Sequence, residues 1–257
     1  MERHADKNQK SFSQKKHNQY SIMAKRKSNG TAAPTSTRLE TLKTIEPLTL
    51  NQKKTFQAYK KNNHLCLSGS AGTGKTFISL YLALEEILTG NSDRDKIVVV
   101  RSIVPTRDIG FLPGDREEKE ATYLYPYIAI CAELFGDPMA WNKLVAKGQI
   151  EFLTTSFVRG ITLHDAIVIV DEMQNLTFHE LDSIITRLGE RCRFIMCGDG
   201  YQSDFEKATH KKGVHDFIQI IERMKNFSHI KFGWPDIVRS GLVRDYIMTK
   251  EMMEKAK

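Results

Sequence analysis

No apolar run in the 257-residue chain approaches the ~20 residues that a membrane-spanning helix needs, which excludes a helical membrane protein. The amino-terminal stretch MERHADKNQKSFSQKKHNQYSIM lacks the apolar core of a secretory signal, and this points to a cytoplasmic protein. Cysteine is scarce. Cys66, Cys131, Cys192 and Cys197 form no Cys-x-x-Cys pair and have no histidine partner at zinc spacing, so they are expected to be reduced, mostly buried small hydrophobes. No internal repeat is present. What remains, 40% hydrophobic and 27% charged residues, suits a globular protein with a sizeable core: one α/β domain and a tail.

The net charge of +7 is unevenly placed. Residues 1–38 hold nine Lys or Arg against Glu2 and Asp6, which is the whole excess, and the rest of the chain is formally neutral. A basic tail of this kind either raises affinity for phosphate backbones through counterion release or is a solvated linker with no partner. Met23 opens the run MAKRK and offers a second start, which would make residues 1–22 a variable extension. Residues 1–45 are dominated by Ser, Thr, Asn, Lys and Gln without helical or strand periodicity. They are expected to be disordered, with the folded domain at 46–257 and order beginning near Pro47.

Beyond that point apolar strands alternate with helical patterns. Strands are expected at 64–68, 96–101, 150–153, 166–170 and 193–197. Helices are expected at 50–61, 74–88, around 123–135, at 177–188, and at 214–224 and 242–253 in the carboxyl third. Strands this apolar, separated by helices, imply a parallel sheet covered on both faces.

Residues 69–76 read GSAGTGKT, the pattern G-x-x-x-x-G-K-[ST]. In such a loop the small residues Gly69, Ser70, Ala71, Gly72, Thr73 and Gly74 let successive backbone N–H groups converge on phosphates at a helix amino terminus. Lys75 would reach the β and γ phosphates and Thr76 would ligate Mg²⁺. A strand before the loop and a helix after it are the context this mechanism requires. A second apolar strand ends in IVIVDE, placing Asp171 to bind Mg²⁺ and Glu172 to polarise an attacking water. A P-loop kinase needs only the first of these carboxylates, whereas hydrolysis by this route uses the second. The Asn-Lys-x-Asp element of guanine-specific proteins is missing, since Asn142-Lys143-Leu144-Val145 lacks the Asp, so ATP is favoured. Gln52, upstream of the loop, reads equally as a sensor of the adenine edge and as a solvated polar residue.

Several spaced motifs together resemble the PhoH family of P-loop ATPases, relatives of the RecA-like core of superfamily 1 helicases. They are GSAGTGKT, VRSIVPTRDIGFLPGD, VRGITLHDAIVIVDEMQN, TRLG, GDGYQSDF and DIVRSGLV, in family order over about residues 47–245. The family usually shows Ala where Met173 stands. The resemblance implies a RecA-like parallel sheet flanked by helices, with the strand at 193–197 between the two motif-bearing strands. It further implies that Gln202 senses the γ-phosphate and that Arg239 or Arg244 supplies a catalytic arginine. Arg101, Arg107, Arg159 and Arg187 also match family positions, as functional residues or as structural ion-pair partners. The chain's length is similar to that of stand-alone members of the kind found in phages, without the fused nuclease domain of others. Since only one RecA-like core fits, the resemblance implies a homo-oligomer, a hexameric ring in which Arg239 acts in trans.

Three function classes follow from these readings. The first is an ATPase coupled to remodelling or unwinding of RNA or single-stranded DNA. The second is an ATP-binding interaction protein with little turnover, and the third is a P-loop small-molecule kinase, which Glu172 and Gln202 disfavour. The stretch CGDGYQSD offers an Asp-Gly turn, a metal loop or one wall of a distant site. Asp199 and Asp204 lack calcium-loop spacing, so the turn is expected to lead Gln202 toward the γ-phosphate, with Asp199 near the Mg²⁺ site.

Overall fold

Five runs rich in β-branched and other apolar residues, and a sixth of mixed polarity, pair as one parallel sheet. The structure, a computed structural model, describes residues 37–102, 116–199 and 208–255. The strands are β1 (His64–Gly69), β2 (Lys96–Arg101), β3 (Ile150–Thr154), β4 (Ala166–Asp171), β5 (Arg193–Gly198) and β6 (Phe227–Phe232). Their spatial order is β3-β2-β4-β5-β1-β6, so β5 does lie between β1 and β4.

The helices are α1 (Leu50–Lys60), α2 (Lys75–Thr89), α3 (Arg116–Phe135), α4 (Ala140–Ala146), α5 (Thr155–Val158), α6 (Phe178–Ile185), α7 (Ala208–Glu222) and α8 (Gly241–Lys255). Because successive strand residues face opposite ways, the central strands feed two cores. Leu65, Leu67, Val99, Ile169 and Ile195 pack under α2, α3 and α4, where Leu80, Leu84, Tyr127, Leu134 and Trp141 are buried. Cys66, Val98, Val168, Phe194 and Met196 pack against Leu181 and Ile184 of α6 and Phe217 and Ile221 of α7. Burial of both faces is what lets these strands read as unbroken apolar runs.

The registers bring the carboxyl ends of the strands to one edge. Arg101 is level with Asp171, Ser68 with Gly198, and Gly69 with Phe232. From β1 the chain crosses over through α2 to β2, on the far side of β5 and β4, opening the crevice where ligands of parallel α/β sheets bind.

Three features depart from the sequence expectations. The chain is already docked at residues 37–45: Leu42 is buried, the Lys43 N–H donates to Leu134 O at 2.9 Å, and Lys147 Nζ donates to Thr37 O at 2.9 Å. Tertiary contacts order this segment although its local pattern is featureless; residues 1–36 lie outside the described residues. Strand β6, FSHIKF, falls in a carboxyl third that reads as helical. As an edge strand it keeps polar His229 and Lys231, which weakens its apolar signal. Helices α4 and α5, at 7 and 4 residues, are too short to show a period.

Candidate nucleotide site

The loop between β1 and α2 begins at Gly69, whose φ of +120° is closed to other residues. A Cβ there would also lie 1.9 Å from the carbonyl oxygen of Phe232. That carbonyl accepts from the Ser70 N–H at 3.2 Å, so the loop is anchored to β6 as it leaves the sheet. Lys75, the first residue of α2, folds its ammonium back on the loop. Nζ donates to Gly69 O at 2.9 Å, to Ser70 O at 2.8 Å and to Thr73 Oγ1 at 3.3 Å. Burial draws the Lys75 pKa below its usual value, opposed by the charges of Asp199, Glu172 and Asp171.

Thr76 Oγ1 donates to Asp171 Oδ1 at 2.7 Å, joining the two candidate metal ligands. The second oxygen, Asp171 Oδ2, accepts from the Tyr127 hydroxyl at 2.8 Å. The donor set fits Mg²⁺: hard oxygens from one carboxylate and one hydroxyl. Mg²⁺ characteristically takes one or two carboxylates and completes its shell with water and phosphate oxygens.

Glu172 follows in the left-handed region, at φ 52° and ψ 47°, which turns its side chain away from the strand path. Burial and the neighbouring Asp171 charge push its carboxyl pKa upward, toward the range of a general base. Gln174 holds it: the amide Nε2 donates to Glu172 Oε2, while Oε1 accepts from the Asp199 N–H at 2.9 Å. Gln174 thus bridges Glu172, just past β4, to Asp199, just past β5. The bridge passes so close over Gly198 that a Cβ there would lie 2.3 Å from Gln174 Oε1.

These groups share a cleft of about 750 Å³ lined by residues 71–78, Asp171, Glu172, Asp199, Arg101 and Arg239, among others. A volume of that size suits a nucleotide. Gln52 lines it too, but its amide is engaged within the chain: Nε2 donates to Thr73 O at 3.1 Å and Oε1 accepts from the Leu48 N–H at 2.7 Å. These bonds brace the loop, a contact that the sequence reading did not weigh. Arg239 lies over its own chain's loop, its Cγ 2.8 Å from where a Gly72 Cβ would be, and the Val238 N–H donates to Gly72 O at 3.0 Å. The arginine expected in trans therefore lines the cleft of the chain that carries it.

Arg101 lines the same cleft, its guanidinium over the Tyr123 ring at 5.5 Å. Arg159, Arg187 and Arg244 are exposed and do not line it. Gln202 and Arg107 lie outside the described residues.

Sequence reasoning missed Tyr127, Gln174 and a buried carboxylate on α8. Glu251 Oε2 accepts from Ser70 Oγ at 3.0 Å and from Trp234 Nε1 at 2.6 Å, tying α8 to the phosphate loop. Glu251→Ala is expected to remove both of these buried hydrogen bonds and to cost about 2 kcal/mol, read from a urea melt. Only Gln174 carried a local signal, within DEMQN.

The chain matches the family model PhoH, described as "PhoH-like protein", over residues 44–251. It is 32% identical to a PhoH-like protein of Mycobacterium leprae over 80% of this chain and 58% of that protein. It is 34% identical to a PhoH-like protein of Bacillus subtilis over 80% of this chain and 63% of that one. With Protein PhoH of Escherichia coli K12 it shares 34% identity over 73% of this chain and 52% of that one. It thus spans little more than half the length of these curated relatives. Among solved structures, a bacteriophage D6E large terminase in complex with ADP aligns at a TM-score of 0.44 and 15% identity, over 78% of this chain and 49% of that one. That likeness is too distant to carry an argument.

Proposed function

The chain belongs to the PhoH family of P-loop NTPases, and from that premise we propose that it hydrolyses ATP with Mg²⁺ and couples hydrolysis to remodelling of RNA or single-stranded DNA. The observation that carries the reading is the convergence of Lys75, the Thr76–Asp171 pair and Glu172 on one nucleotide-sized cleft.

In this reading the backbone N–H groups of residues 70–76 hold the phosphates, and Lys75 exchanges its loop carbonyls for phosphate oxygens. Thr76 and Asp171 would hold Mg²⁺, which would supply positive charge to neutralise the phosphates. Glu172 orients a water for attack and accepts its proton, with Gln174 fixing the carboxylate. Arg239 offers its guanidinium in cis to the transferred phosphoryl group. Gln202, three residues past Asp199 in sequence, is assigned to sensing the γ-phosphate; Gln202→Ala is expected to keep ATP binding and slow turnover, compared by binding and phosphate-release assays.

A ring of identical subunits accords with two observations. The described residues form one six-stranded sheet, and α8 exposes Leu242 at 82%, Tyr246 at 66% and Met253 at 64%. Light scattering of the purified chain measures the assembly; a monomer at assay concentration removes the ring from the reading. The nucleic-acid part rests on kinship with helicase cores and on the basic residues of the tail. Its test is ATP turnover with and without single-stranded RNA or DNA. Stimulation by a polymer is expected, and equal rates with and without either polymer would contradict the coupling.

A further inference from the structure

We propose that Tyr127 is a positioning residue for the metal site, holding one oxygen of Asp171 so that the other is presented to Thr76 and the cleft. Asp171 is 3% exposed, and each of its carboxylate oxygens accepts a hydrogen bond from a different helix: Oδ1 from Thr76 of α2, Oδ2 from Tyr127 of α3. A carboxylate rotates easily about its last torsion, and a buried oxygen without a donor costs on the order of 1–3 kcal/mol. The Tyr127 hydroxyl removes that cost in one orientation only, the one that aims Oδ1 at the Thr76 hydroxyl.

The phenol is itself held. Tyr127 is 1% exposed, and its ring packs against Trp141 of α4 at 6.2 Å and Phe152 of β3 at 5.9 Å. Neither neighbour lines the cleft, so their packing supports the ring without taking part in the chemistry. Outer partners of this kind typically set metal affinity by about 10–100-fold. Tyr127 lies 44 residues before Asp171 and outside every phosphate- or carboxylate-bearing motif, and α3 is thereby made part of the metal site.

This inference rests on the Mg·ATP reading above, and the test separates the two. Binding of a fluorescent ATP analogue is titrated with Mg²⁺ and, separately, in EDTA, for wild type, Tyr127→Phe and Phe217→Leu. Phe keeps the ring and its packing. The half-saturating Mg²⁺ concentration is expected to rise about tenfold in Tyr127→Phe, with affinity in EDTA unchanged. Phe217→Leu loosens the core on the opposite face of the sheet, lowers the melting temperature and is expected to retain wild-type Mg²⁺ dependence. A wild-type Mg²⁺ response in Tyr127→Phe overturns the positioning role, as does an equal shift in Phe217→Leu, which would make the effect one of general packing. Wild-type nucleotide affinity that ignores Mg²⁺ overturns the metal reading and this role with it.

Discussion

Glu172→Gln is expected to slow phosphate release from ATP by roughly 10²–10⁴-fold, the range of a lost general base, while leaving nucleotide bound. The amide keeps the size of the side chain and can still meet Gln174, but it cannot take a proton from water. Binding is spared because the phosphate loop, Lys75 and the Thr76–Asp171 pair are untouched. The same change should raise the melting temperature near neutral pH. The folded-state carboxyl pKa lies above its usual value because of burial and the Asp171 charge, so the ionised form weakens the fold and the neutral amide does not. Tight binding, absent turnover and a higher melting temperature together separate loss of the base from general damage.

Gly69→Ala is expected to remove about 4 kcal/mol or more of stability, a large share of the roughly 5–15 kcal/mol a domain possesses. Two costs add. A φ of +120° is unfavourable for alanine, and the new Cβ would meet the Phe232 carbonyl at 1.9 Å. That carbonyl is backbone of β6, paired with β1, so relief requires parting the strands or shifting the loop. Either movement breaks the Ser70–Phe232 hydrogen bond and displaces the Lys75 contacts to Gly69 and Ser70. Urea unfolding and soluble yield measure the first effect, and nucleotide affinity of any folded fraction measures the second.

The fold was legible where both faces of a strand are buried. β2 falls at 96–101 in sequence and structure alike, and β4 at 166–171 is an unbroken apolar run closed by Asp171. β6 was not, because an edge strand need bury only part of itself and carries His229 and Lys231. The phosphate loop and the Asp171–Glu172 pair were legible because their chemistry is local, a few consecutive residues at a strand end. Tyr127, Glu251 and the bracing role of Gln52 were not, since each acts on a residue distant in sequence. Ser70 and Glu251, for example, are 181 residues apart and meet only because α8 returns across the loop. Gln174 stood in plain view within DEMQN, yet its bridge to Asp199 exists only because β4 and β5 are neighbours. Arg239 was legible as an arginine of the nucleotide site; its contact with Gly72 of the same chain, distant in sequence, was not.

The central claim is that one cleft binds ATP and hydrolyses it with a metal held by Thr76 and Asp171. Steady-state phosphate release from ATP by the purified chain, in Mg²⁺ and in EDTA, tests it most directly. The account predicts turnover that requires Mg²⁺ and that Glu172→Gln abolishes under the same conditions. Phosphate release by the wild-type chain no faster than by Glu172→Gln would contradict it.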